Sequence, residues 1–157
     1  YEIMPSLVGS EMCIRDSRKS GEQKVFEADS RFTKNVVEKC ESGNYEQWER
    51  HNIENPHFYD LMYLPQTGMY ARLHLGGIEF DATRDILNLM DDRDLYLTFF
   101  DKDFVVVGEA KLPSHRYNYF TGWRETNDGV ALFVDNSLDE NEKTEELVLD
   151  IVRLQAD

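Results

Sequence analysis

Four histidines, His51, His57, His74 and His115, are the first candidates for metal binding or acid–base chemistry. Zinc-peptidase chemistry needs two imidazoles one helical turn apart with a glutamate beside the first, and no pair here has that H-E-x-x-H spacing. They are expected in structural or surface roles, with His57, just after Pro56, fixing the start of a strand through a hydrogen bond. The run Asp135-Asn-Ser-Leu-Asp-Glu-Asn-Glu-Lys-Thr-Glu-Glu146 carries oxygens enough for calcium. It lacks the sixth-position glycine that turns an EF-hand loop back on its ion, and reads as a solvated acidic loop. Asp91-Asp-Arg-Asp94 reads as a charge cluster that discourages edge pairing. Glu79, Asp81 and Asp85 could flank a glycosidic bond, which requires two carboxylates about 5 to 10 Å apart, but the sequence does not set their separation. Trp48 and Trp123, with eight tyrosines, could line a carbohydrate-binding surface, although strand aromatics mostly pack interiors. No nucleophile–base constellation and no glycine-rich phosphate loop is visible. No catalytic, cofactor-binding or metal-binding residue is therefore assigned, and no cofactor is expected.

These side chains must be positioned by short strands, because long helical periodicity is absent. Asn44 can cap a short helix in which Tyr45, Trp48 and Asn52 recur at i, i+3 and i+7, closed by Pro56. A second short helix is expected within 82–90, inside an excursion over 76–94. Hairpins are read at 58–75 around Pro65-Gln-Thr-Gly68, at 95–112 around Asp101-Lys-Asp103, and at 117–135 around Asn127-Asp-Gly129, followed by a last strand at 147–154. In the second arm of the first hairpin Met69, Ala71, Leu73 and Leu75 share one face and Tyr70, Arg72 and His74 the other, so an apolar face and an aromatic-lined face are predicted. A weak, mostly solvated outer strand is read over 24–32. The fold class is mainly β, built of antiparallel sheets with short helices at 44–52 and 82–90.

The chain has 157 residues and a formal charge of -14 from 31 acidic and 17 basic side chains. That sign disfavours nucleic acid and anionic membranes as partners. No apolar run approaches the about 20 residues a bilayer-spanning helix requires. Tyr1 to Ser17 (YEIMPSLVGSEMCIRDS) resembles the translation of a short-read sequencing-library adapter, so native sequence is expected to begin near Arg18 and the segment to make no native contacts. Cys13 would then not be a native thiol, leaving Cys40 alone and inert.

Asn55-Pro-His-Phe-Tyr59, Tyr63, Met69-Tyr-Ala-Arg72, Phe100-Asp-Lys-Asp-Phe104, Val107-Gly-Glu-Ala-Lys-Leu-Pro113, Tyr117, Gly129 and Leu154 together resemble the C-terminal end of the TolB-like six-bladed β-propeller lipoproteins of Bacteroidota. The resemblance implies four-stranded blades around a channel, export, and a lipid anchor on a cysteine of the full-length parent. It divides the chain into a non-native 1–17, the end of a preceding blade and linker at 18–42, a penultimate blade at 43–113 with a helical insertion at 76–94, and a last blade at 114–157 lacking its fourth strand. The expected function is that of a non-enzymatic propeller of the Gram-negative cell envelope, periplasmic or on the outer-membrane surface, binding or scaffolding an unknown protein or glycan ligand. The alternatives are a fragment of a lactonase-like or glycan-cleaving propeller enzyme whose catalytic residues lie on other blades, and a free-standing β-sandwich.

Overall fold

The computed structural model describes residues 13–17, 23–35, 37, 40, 43–118, 120, 122–135 and 146–155, with backbone only for 13–17 and 23–27. Its elements run β1 (Cys13–Ser17), β2 (Gln23–Glu27), α1 (Tyr45–Glu54), β3 (His57–Phe58), β4 (Met62–Leu64), β5 (Met69–Leu75), α2 (Ile86–Asp91), β6 (Leu95–Phe100), β7 (Val106–Lys111), β8 (Trp123–Glu125), β9 (Val130–Phe133) and β10 (Leu149–Val152). The protein is mainly β, and every pairing among the named strands is antiparallel.

The central sheet is a meander. β3 and β4 both pair with β5, as two pieces of one interrupted strand, and β6 and β7 follow in order. A second meander, β8-β9-β10, adds an isolated bridge between Tyr117 and Val134. The turn residues behave as their chemistry predicts. Gly68 takes φ +69 at the end of the Pro65 turn and donates to the Leu64 carbonyl at 2.9 Å. Asp101 caps the next tip, its Oδ1 accepting from the Asp103 and Val105 amides at 2.9 Å each.

The alternation read along β5 holds in three dimensions. Ala71, Leu73 and Leu75 face Leu95, Leu97 and Phe99 of β6, and Leu112, Val130 and Leu132 complete a core shared by the two larger sheets. Gly108 serves this junction, because a Cβ there would lie 2.5 Å from Leu154 Cδ1.

Several expectations need correction. β1 pairs with β2 along its full length, from Cys13 with Glu27 to Ser17 with Gln23, so 13–17 is not without contacts. Both arms contain β-formers, Ile14 opposite Phe26 and Val25 opposite Arg15, and two such extended neighbours close a ladder readily. The hairpin forms a sheet of its own, separate from the two larger ones. Residues 1–12, with Leu7 and Met12, and the Ile14 side chain lie outside the described residues. The weak strand stops at Glu27 instead of reaching Phe32. Ala28 and Ser30 are buried, and Ser30 anchors an irregular strap through bonds with Asn35. The 117–124 strand shrinks to one bridge plus β8, since Asn118 turns its side chain onto the Phe120 amide. The second helix begins only at Ile86, because Asp85 caps it by accepting from the Leu87 amide.

Candidate functional site

The helix α1 forms where the sequence places it. The Asn44 side chain accepts from the Gln47 amide at 2.8 Å, and Asn55, forced extended by Pro56, ends the helix. Residues 45, 48, 49 and 52 fall on one helical face, and that face lines a cleft of about 540 Å³ closed by Ile86, Leu87 and Met90 around α2, by His57 and Tyr59, and by Phe120. Its aromatic rings are open to solvent. Tyr45 is 70% exposed, Trp48 48% and Phe120 75%. Tyr45 and Trp48 lie 5.8 Å apart with 27° between their planes. The Glu49 carboxylate holds the Tyr45 phenol above its ordinary pKa, first by charge and then by a hydrogen bond.

Arg93 ties the cleft to the sheet. The residue is 4% exposed, and its guanidinium donates from Nε to the Gly76 carbonyl at 2.7 Å, from Nη1 to the Asn52 carbonyl at 2.9 Å and from Nη2 to the Asn55 carbonyl at 2.6 Å. One side chain thereby joins the last turn of α1 to the end of β5. Close approach is required there, since a Cβ on Gly77 would run into the Glu54 carbonyl. Burial, then the nearby Arg93 charge, lowers the pKa of His57, so its imidazole is neutral near pH 7. Its ring stands edge-on to that of Tyr59 at 4.9 Å, and the start of β3 is held by the pairing of His57 with Leu75 of β5.

A second polar group is enclosed on the aromatic face of the central sheet. Arg72, Thr98 and Glu109 stand in one cross-strand row, and His74 and Tyr96 in the next. Phe58, His74, Tyr96 and Phe32 stack in a column at centroid spacings of 4.9, 5.0 and 5.1 Å. Arg72 lies over Phe58 and Phe100 and donates to the Ala28 carbonyl at 3.0 Å. Burial lowers the Arg72 pKa to about 10, against the opposing pull of Glu109. His74 is pushed down to about 4 by burial, with Glu109 opposing and Arg72 reinforcing the shift. Its Nε2 is 3.9 Å from Glu109 Oε1, and neither ring nitrogen has a hydrogen-bond partner among the described residues. Glu109 instead accepts from Thr98 Oγ1 at 3.2 Å and from the Arg31 amide at 2.8 Å.

The remaining candidates are dispersed. His51 sits on α1 beside Asn55, and His115 lies against Asp91 at 3.2 Å. Among the described residues no three His, Cys, Asp or Glu side chains converge as a ligand set. Asp81 binds the Thr83 hydroxyl and amide, which hold its pKa down; Asp85 caps α2; Glu79 is exposed. The 91–94 cluster is less solvated than its composition suggests. Arg84 bridges to Asp92 at 2.6 Å and Lys111 to Asp94 at 2.7 Å, while Arg93 is interior. Most of the acidic run after Asp135 lies outside the described residues. Cys40 carries a free thiol. Trp123 lines a different, open cleft of about 530 Å³ with Asp60, Tyr63 and Glu125, separated from the first by Tyr59, whose ring is 4.4 Å from that of Trp123. Sequence reasoning missed Arg93 and the Arg72–Glu109 row. The first lies inside a charge run, and the second pairs strands whose register the sequence does not state.

No family model matches the sequence. No curated protein matches it either. Among solved structures, the fold is similar to that of a member of the DUF4221 family from Bacteroides vulgatus determined at 1.75 Å, with a TM-score of 0.72 and 18% identity. The match covers 92% of this chain, and the chain spans 41% of that structure's length.

Proposed function

We propose that this chain is a ligand-binding part of a larger six-bladed β-propeller of the bacterial cell envelope, and that it binds without catalysing a reaction. The observation that carries the binding reading is the preformed cleft beside α1, where Tyr45, Trp48 and Phe120 stay exposed over apolar walls. A site that keeps large aromatic rings in water forgoes their burial, and ligand contact is what restores it.

Three features support the ring. A four-stranded meander followed by a three-stranded one, stacked through a common core, is the organisation of successive blades. The match spans 41% of the similar structure's length, which leaves room in a longer protein for further sheets of this kind. The face of β10 away from the core leaves Leu149 and Ile151 exposed, as a blade would before its neighbour packs on it. Envelope location and a lipid anchor on the full-length protein rest on the family resemblance.

The test is a thermal-shift screen of small molecules and glycans on the whole chain and on its Trp48→Ala variant. Ligands are expected to raise the melting temperature of the first and not of the second. Hits that ignore the substitution, or turnover of a hit by the purified chain, would overturn the reading.

A further inference from the structure

The geometry points to a neutral saccharide as the ligand of the α1–α2 cleft, with Tyr45 and Trp48 offering one aromatic platform to a sugar ring and Glu49 and Asn52 bonding its hydroxyls. This inference rests on the cleft being a binding site and adds the chemical class of its occupant.

Charge narrows the choice first. An anion would need an available cation, and Arg93 commits Nε, Nη1 and Nη2 to the Gly76, Asn52 and Asn55 carbonyls, while His57 is held neutral. The Arg93 charge in one wall and the Glu49 carboxylate in another oppose each other, so neither net sign is favoured across the cleft as a whole. A wholly apolar ligand would cover the Asn52 carboxamide without bonding it, and a polar group desolvated unpaired costs about 1–3 kcal/mol. A neutral molecule with apolar C–H faces and hydroxyl edges meets both demands.

The pattern on α1 fits that molecule. Positions 45 and 48 present the aromatic pair and positions 49 and 52 the carboxylate and carboxamide, all on the same helical face. The two rings stack on each other, inclined by 27° at 5.8 Å, and their exposed surface offers one aromatic platform to the C–H face of a sugar, while the two polar groups accept from and donate to its hydroxyls.

The test uses saturation-transfer NMR and calorimetry on the whole chain with neutral tetraoses of β-linked glucose, β-linked N-acetylglucosamine, β-linked mannose and α-linked glucose. Laurate serves as the apolar probe. At least one tetraose is expected to bind, weakening tenfold or more in Trp48→Ala, recovering in Trp48→Phe and weakening severalfold in Asn52→Ala. Tyr45→Ala, at a still more exposed ring, keeps the test open if Trp48→Ala misfolds. Laurate binding that depends on Trp48, with every tetraose silent, would overturn the saccharide and leave the binding site standing. Silence of all probes would overturn both, and tetraose binding indifferent to these substitutions would move the site elsewhere.

Discussion

Arg93→Met should detach α1 from the sheet while leaving the two larger meanders paired. The wild-type guanidinium donates to three carbonyls, and bonds to charged groups contribute about 1.5–3 kcal/mol each. The contributions do not simply add. Asn52 and Asn55 are only half-buried, so their carbonyls can recover water, whereas Gly76 is buried and its carbonyl is left unpaired. A net loss of about 3 kcal/mol follows, to which the well-packed methionine stem returns little. Amide exchange resolves this locally. Protection of the α1 amides, and of the Ile78 amide bonded to the Ile53 carbonyl at 3.0 Å, should fall about 100-fold, a factor equivalent to about 3 kcal/mol, while β5 and β6 amides change far less. Arg93→Lys should fall between, since one ammonium cannot bridge three diverging carbonyls. Unchanged α1 exchange in Arg93→Met, or an equal loss in β5 and β6, would refute a local strut.

Stability should also fall in acid through His74. Its folded pKa, about 4, lies below the ordinary 6.5, so the unfolded chain binds the proton first and the stabilisation present above pH 6.5 drains away down to about pH 4, amounting to about 3 kcal/mol. His74→Phe should flatten that part of a urea-midpoint profile against pH, and an unaltered slope would assign the acid sensitivity to other groups. The exposed Leu149 and Ile151 should make the isolated chain self-associate, with sedimentation that shifts with concentration. Leu149→Asp with Ile151→Asp should reduce that association without loss of far-ultraviolet signal, and a monomeric wild type at high concentration would contradict it.

Strand periodicity made much of this fold legible. β6 occupies the predicted 95–100, and the two faces of β5 divide as alternation requires, because a period of two leaves little freedom once one face is buried. The losses came where polar side chains compete with the ladder: Asn118 diverts the chain before β8, and Asp85 delays α2. The cleft was half legible. Tyr45, Trp48 and Asn52 share a helical period, but the opposing wall comes from residues up to 120, and local pattern carries no information about such long-range closure.

The two faces of the central sheet are held by different physics, and the difference bears on what each face decides. The Leu73–Leu97 side packs by volume, and cores of that kind tolerate substitution if size and pattern are kept. The Arg72–Glu109 side binds the 28–35 strap by direction. The Ala28 carbonyl accepts from Arg72, the Arg31 amide donates to Glu109 and the Phe32 ring caps the aromatic column. A one-residue slip of the strap would place an amide where a carbonyl is required and leave Glu109 without its amide donor. Buried charges of this sort give little net stability, since desolvation offsets their attraction. What the row supplies is registry: the apolar face lets the sheets associate, and the polar face fixes how the preceding segment lies across them.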